Sequence, residues 1–342
     1  MSFQRKALLY SGIFGLLALL FVATMVFDPQ RMASQSALYA WLPPAELASI
    51  SKVEITPPRD TKNGEPVVLV KKDTLWFDQK DGRSYPVKQE RVQDLLSALA
   101  KQAEYPVRAT TDQAYTKLGV DGDHASRITL YGANQNTPVL DLFIGNRDAV
   151  GRAVYIRSAA SKEVRSGLDR FSSYGSDTNR SWYDLRFFPS TGKGALTANQ
   201  VQRIHVVLNG DILKKDDYIL SRDDKDQWVI TSDRTKKVDP QKAEAWVKSI
   251  LEAEGEDFLS PQQESPLGTG AVITLELGDG SNRIITIGEA LPDSKRKATL
   301  STSPFGYAVA GWAVNQIVKS RDYFYASSPP STGGTTPRAP KS

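Results

Sequence analysis

The chain has 342 residues, 40% of them hydrophobic and 24% charged, with no Cys and two His, His124 and His205. This is the composition of a folded protein, long enough for about two domains at the usual ~100–200 residues each. The lack of Cys excludes thiolate nucleophiles, disulfides, iron–sulfur clusters and thiolate zinc sites, and two His leave little imidazole chemistry.

Lys and Arg outnumber Asp and Glu by 43 to 39. The excess lies at the two ends: Arg5 and Lys6 before residue 28, Arg338 and Lys341 after residue 326, with no acid in either stretch. Residues 28–326 hold 39 basic and 39 acidic side chains. Such a balance makes no net field to collect phosphates, so no nucleic-acid partner is expected.

Residues 8–27, LLYSGIFGLLALLFVATMVF, are 20 consecutive residues without a charge. At ~1.5 Å per residue a helix of that length covers roughly 30 Å, the thickness of one hydrocarbon core, so a transmembrane helix is expected. A cleaved signal peptide would have an apolar region of only about 7–15 residues followed closely by a small-x-small site. Here the first such site, Ser34-Gln35-Ser36, lies well beyond the run, and no Cys follows it to carry a lipid anchor. Arg5, Lys6 and the N-terminal amine precede the span and Arg31 alone follows it, which places residues 1–7 as a cytoplasmic stub. The expected location is therefore the bacterial inner membrane, single-pass, with the bulk of the chain periplasmic. Residues 28–49 read as a juxtamembrane linker, in which Tyr39 and Trp41 either meet the headgroups or pack on the first domain.

Beyond the linker the chain resembles itself. Val53-x-Ile55 matches Ile204-x-Val206 at an offset of 151, and Trp76 matches Trp228 at 152. Val92, Leu95, Leu96 and Leu99 form one helical face, and Ala243, Trp246, Val247 and Ile250 repeat it, each at 151. Leu118-Gly119 recurs as Leu267-Gly268, Ile144-Gly145 as Ile287-Gly288, and Arg180 as Arg321, at 149, 143 and 141. The declining offset predicts two tandem homologous units, 50–189 and 200–325, joined by a linker at 190–199. Residues 326–342 are rich in Pro and after Ala326 hold one aliphatic residue, so a disordered tail is expected.

Each unit alternates as strands, one helix, then more strands. The pattern predicts strands over 67–71, 75–78, 126–131, 139–144 and 153–157 and a helix over 88–102, with Gly132-Ala133-Asn134 as a turn. In the second unit Ile273, Leu275 and Leu277 alternate with polar residues, and Gly278-Asp279-Gly280 turns the chain into a strand over 283–287. Hairpins with a single helix mean an α+β fold, an antiparallel sheet plus helix in each unit.

No familiar catalytic pattern is present: neither G-x-S-x-G, nor H-E-x-x-H, nor a G-x-x-x-x-G-K-[ST] phosphate loop occurs. Asp121-Gly122-Asp123-His124 has oxygens at alternate positions but lacks the remaining ligands of a calcium loop, and reads as a polar turn. His205 falls on the polar face of an alternating strand. Arg222 to Asp226 reads as a hairpin tip, and Trp76 and Trp228 as duplicated core positions. No catalytic, cofactor-binding or metal-ligating residue is assigned, and no cofactor.

The span, the strand pairs with Trp76, the helix, Leu118-Gly119-Val120-Asp121, Ile144-Gly145 and the Tyr155-Ile156-Arg157 strand together resemble the bacterial domain of unknown function 4340. The resemblance runs from about Val53 to Phe324. It implies an extracytoplasmic accessory subunit of a gliding-motility-type ABC transporter, with the transporter's permease components as partners; the family has no assigned reaction or catalytic residues. The expectation is thus a non-enzymatic, partner-binding envelope protein. A cell-wall or carbohydrate binder using Tyr174, Trp182, Tyr183 and Trp312 is the alternative, and an enzyme with paired carboxylates a third.

Overall fold

A computed structural model describes residues 17, 38–59, 61, 64–133, 135–175, 179–190, 194–264, 268 and 270–325. The expected span (Leu17 apart), the Ser34-Gln35-Ser36 site, the tail over 326–342, Asn134 and Leu267 lie outside the described residues. Among the described residues no helix is long and apolar enough to cross a membrane. The chain divides into two compact units, Met1–Asp184 and Leu185–Ser342. Both are α+β, with antiparallel sheets and few helices.

The first unit contains β1 (Leu38–Tyr39), β2 (Ile50–Thr56), β3 (Val67–Lys72), β4 (Leu75–Lys80), β5 (Arg83–Pro86), helix α1 (Gln89–Ala100), β6 (Ala103–Glu104), β7 (Val107–Ala109), β8 (Ser126–Gly132), β9 (Leu140–Arg147), β10 (Ala153–Ser158) and β11 (Val164–Leu168). Nine strands form one sheet in the order β5-β4-β3-β2-β8-β9-β10-β11-β7, and β1 pairs with β6 apart from it. Strand alternation turns Val53, Ile55, Leu69, Ile128, Leu130, Leu142, Ile144, Val154 and Ile156 inward, and all are buried. Helix α1 buries Val92, Leu95, Leu96 and Leu99. The Gln89 side chain ties its start to β4, accepting from Trp76 N–H at 2.8 Å and donating to Trp76 O at 2.9 Å.

The second unit contains β12 (Val201–Leu208), β13 (Asp216–Arg222), β14 (Trp228–Ile230), α2 (Pro240–Leu251), β15 (Asp257–Phe258), β16 (Ala271–Leu277), β17 (Asn282–Leu291), β18 (Lys295–Leu300), β19 (Gly306–Ala310) and α3 (Gly311–Ile317). Its eight strands run β14-β13-β12-β16-β17-β18-β19-β15. Helix α2 starts on Asp239, whose carboxylate accepts from Gln241 and Lys242 N–H at 3.0 and 3.3 Å, with Pro240 in the first turn. The Trp246 indole N–H donates to Ile317 O at 2.9 Å, joining α2 to α3.

The two sheets share a register. Val53 pairs with Leu69 on one side and Leu130 on the other; Ile204 pairs with Leu220 and Leu275. An irregularity falls between Ile50 and Lys52 against β8, and between Val201 and Arg203 against β16. The units also differ: the first ends its sheet on β5, whereas β14 is the edge strand in the second. Helix α3 corrects the expectation of a single helix per unit. It is seven residues long and follows the fully buried strand β19, so its two short turns give no periodicity that separates them from the strand before.

Candidate functional site

The sequence motifs converge on one knot in the first unit. A helical turn, Tyr115–Leu118, ends on Gly119 in the left-handed region at φ +68°. Gly145 on β9 packs against this turn so closely that an added Cβ would strike the Leu118 carbonyl and the Val120 side chain, which is why both positions hold Gly. Arg157 on β10 closes the knot: its guanidinium donates to Val120 O at 3.1 and 3.2 Å and lies 4.3 Å from the ring centroids of both Tyr115 and Phe143. Asp121 then caps the following turn. Its burial opposes ionisation, but hydrogen bonds from the His124 and Asp123 N–H groups, the His124 ring and the Thr116 hydroxyl outweigh it and hold the carboxyl down to about 2. Arg157 and Asp121 are both engaged in holding backbone, so the knot is a fold-determining element.

A second polar cluster has no sequence signature. Asp78 on β4 is fully buried and accepts from Val68 N–H at 3.0 Å, the Asn179 amide at 3.0 Å and the Tyr183 hydroxyl at 3.1 Å. Burial pushes its pKa up, against those three hydrogen bonds. Asn179 and Tyr183 belong to the last segment of the unit, so the carboxylate latches that segment onto the sheet. The matching position of the second unit, at the 152 offset of the tryptophans, is Ile230.

The second unit holds an open site with a built apolar floor. A cleft of about 730 Å³ runs beside α2, floored by Phe188, Leu196, Ala198, Ala245 and Leu251 and rimmed by Arg186, Glu244, Lys248, Glu252 and Glu254. Helix α2 buries Ala243, Trp246, Val247 and Ile250 and therefore turns Ala245, Lys248 and Glu252 to the cleft. The opposite wall is fixed by backbone pairing, Phe187 N–H to Ala253 O and Gly255 N–H to Leu185 O, each 2.9 Å. Glu244 is held in place, accepting from the Trp228 indole at 2.7 Å and from Arg222 at 2.9 Å. An apolar floor with a mixed charged rim suits an apolar side chain carried on a polar backbone.

In the first unit the space beside the end of α1 is filled. Trp41 and Leu42 are buried there, Leu42 N–H donates to Leu99 O at 3.0 Å, and the turn Pro44–Ser49 follows. Trp41 thus packs on the unit, at 5.4 Å from the Tyr105 ring. In the second unit the corresponding entry bridges Arg186 with Glu254, as Tyr39 pairs with Ala103 in the first, and it buries Phe187 and Phe188 before the turn Ala198–Gln200.

The other sequence-derived candidates resolve separately. Tyr174, Trp182 and Tyr183 are buried, which removes three of the four aromatics on which carbohydrate binding would rest; Trp312 on α3 stays exposed. Trp76 and Trp228 are both in the core. A ring nitrogen of His205 lies 2.8 Å from the Asp217 carboxylate on the open face of the sheet. Asp223 accepts from Lys225 and Gln227 N–H, both at 2.9 Å, and shapes the hairpin between β13 and β14. Among the described residues no group of three or more His, Asp or Glu is placed to hold a metal ion.

Residues 78–271 match the family described as Domain of unknown function (DUF4340). The chain belongs to this family. The match is one continuous copy that opens on β4 in the first unit and closes at the start of β16 in the second, and it takes in the Gly119–Gly145 knot, Asp78 and the α2 cleft. An uncharacterised protein of Treponema pallidum (strain Nichols) is 26% identical over 166 residues, 48% of this chain and 51% of that protein. The chain spans about half the length of that curated relative. No solved structure matches this DUF4340 chain.

Proposed function

We propose that this protein is a non-enzymatic, single-span envelope protein whose ectodomain consists of two homologous units and binds a protein partner. The cleft beside α2 carries the proposal. In the second unit the entering segment already buries Phe187 and Phe188 as Trp41 and Leu42 are buried in the first, and beside them the cleft keeps an apolar floor under a charged rim. A partner segment presenting an aromatic and an aliphatic residue side by side would bury them over Phe188, Leu196 and Leu251, with its polar backbone facing Lys248 and Glu252. The duplication is supported by the shared strand register, the matching irregularities and the constant 151 offset across strand and helix. The anchor is supported by the uncharged run at 8–27. The bound partner on this reading is a membrane complex, the permease components of a gliding-motility-type ABC transporter.

The test is purification of the tagged full chain from detergent-solubilised membranes. The proposal expects a stoichiometric membrane-protein partner. Retention on cell-wall polymer with no protein partner would replace it by the carbohydrate-binding alternative, whose remaining aromatic is Trp312.

A further inference from the structure

One end of the first unit's sheet carries apolar side chains that fill no core. Val150, in the turn between β9 and β10, is 71% exposed; Leu168, closing β11, is 54% exposed; and Leu38 in β1 is 52% exposed. The ladders bring them to the same end. Leu168 pairs with Ala153, and Ala153 O accepts from Asp148 N–H at 2.8 Å, so the turn that holds Val150 abuts Leu168. Gly167, next to Leu168, packs against the Tyr105 ring, and Leu38 pairs with Glu104, the neighbour of Tyr105. A hairpin tip ordinarily carries polar turn formers. The matching tip of the second unit does so, with Asp293 and Ser294 at positive φ.

Charges of both signs stand at this end, Glu104, Asp148 and Asp169 among Arg147, Arg152 and Arg170. Asp148 is turned into the hairpin, accepting from Arg152 and Ala153 N–H at 2.8 and 3.2 Å, and Asp169 accepts from Arg147 at 2.8 Å. Arg152 and Arg170 are exposed and take part in no ion pair among the described residues. Tyr39, beside Leu38, is partly exposed under the Arg165 guanidinium, 4.5 Å from its ring centroid.

We infer that this end of the first unit, with Leu38, Val150 and Leu168 beside Arg152 and Arg170, lies on the headgroup surface of the membrane. The inference rests on the single-span reading above. Chain length supports it: the uncharged run ends at Phe27, and residues 28–37 span at most about 35 Å however they are arranged. The Leu38 end is thus the tethered end of the unit. The β10–β11 turn lies at the opposite end of the same strands, about 20 Å away. Isolated aliphatic side chains enter the headgroup boundary while arginines reach phosphates, the chemistry of peripheral membrane contact.

The absence of native Cys makes the test direct. Val150→Cys, Leu168→Cys and, as the far-end control, Ala160→Cys are each labelled with an environment-sensitive fluorophore. The full chain is reconstituted in vesicles of phosphatidylethanolamine and phosphatidylglycerol bearing spin-labelled lipids. Quenching several-fold stronger at 150 and 168 than at 160 is the expected result. Equal or absent quenching at all three positions, with the protein retained after an alkaline carbonate wash, would overturn the surface and leave the anchor standing. Quenching at 150 and 168 before a wash that releases the protein would keep the surface and remove the anchor. A face reserved for a protein partner would leave both probes unquenched in these lipid-only vesicles, which also overturns the inference.

Discussion

The backbone N–H of Lys88 donates to the carbonyl of Trp182 at 2.8 Å. In the second unit Asp239 N–H donates to Phe324 O at the same distance, and the adjoining residues bridge alike, Val87 with Tyr183 and Val238 with Tyr325. Each donor immediately precedes its unit's long helix, and each acceptor lies in the segment that ends the unit. The bond therefore staples the chain's return to the helix start. Trp182 is fully buried under the Arg91 guanidinium, and its indole N–H has no hydrogen-bond partner among the described residues.

Replacing Trp182 should therefore split by shape. Trp182→Ala is expected to cost about 3–5 kcal/mol through the cavity it leaves. Trp182→Phe, which installs the residue found at the matching position, should cost less than about 1.5 kcal/mol because it also removes a buried donor without a partner. Urea denaturation of the two variants against wild type measures both.

Leu96 and Leu99 on α1 are buried against their own sheet. Leu96→Ala or Leu99→Ala should lose about 2–5 kcal/mol. An unchanged unfolding midpoint would mean that this stripe does not form the core.

Two carboxylates should respond to pH in opposite directions. Burial opposes ionisation of Asp216, but Arg321, through its guanidinium and its N–H, outweighs it and holds the pKa below the ordinary value. Its stabilisation is complete above about pH 4 and lost as pH falls through the lower folded value, so the advantage of wild type over Asp216→Asn should shrink below about pH 4. Burial pushes Asp78 the other way. The folded protein then binds the proton more tightly than the unfolded chain, and wild type should gain on Asp78→Asn as pH falls from neutrality through the raised value. Asp78→Ala, which strands three buried donors, is expected to cost about 3 kcal/mol or more at neutral pH. Chemical denaturation of the three variants across pH 3–7 reads all of this.

The helix over 89–100, the strand alternation around Val53 and Ile204 and the hairpin at Gly278-Asp279-Gly280 were legible because each depends on local periodicity or turn chemistry. The Asp78 latch was not, because its partners are 101 and 105 residues away and Asp in an alternating strand looks like an outward-facing residue. Tyr174, Trp182 and Tyr183 lie in a segment without periodicity, so composition alone left them as exposed aromatics when they are core. Arg180 and Arg321 both fall in single helical turns, but the second turn is longer, and the residues after it match at 142. The cleft beside α2 was invisible for a further reason: its lining comes from three separate stretches, around Phe188, Leu196 and Lys248, and none of them is a motif.

The most direct measurement fills the cleft. Ala245 is exposed on α2 and lines the floor, so Ala245→Trp occupies the space while changing helix propensity by only about 0.5 kcal/mol. Detergent co-purification of the full chain carrying Ala245→Trp is compared with wild type, with the unfolding midpoint of each measured in parallel. The account predicts that the membrane partner is lost while the midpoint stays within experimental error of wild type. A partner retained at wild-type stoichiometry by a folded Ala245→Trp protein would contradict it.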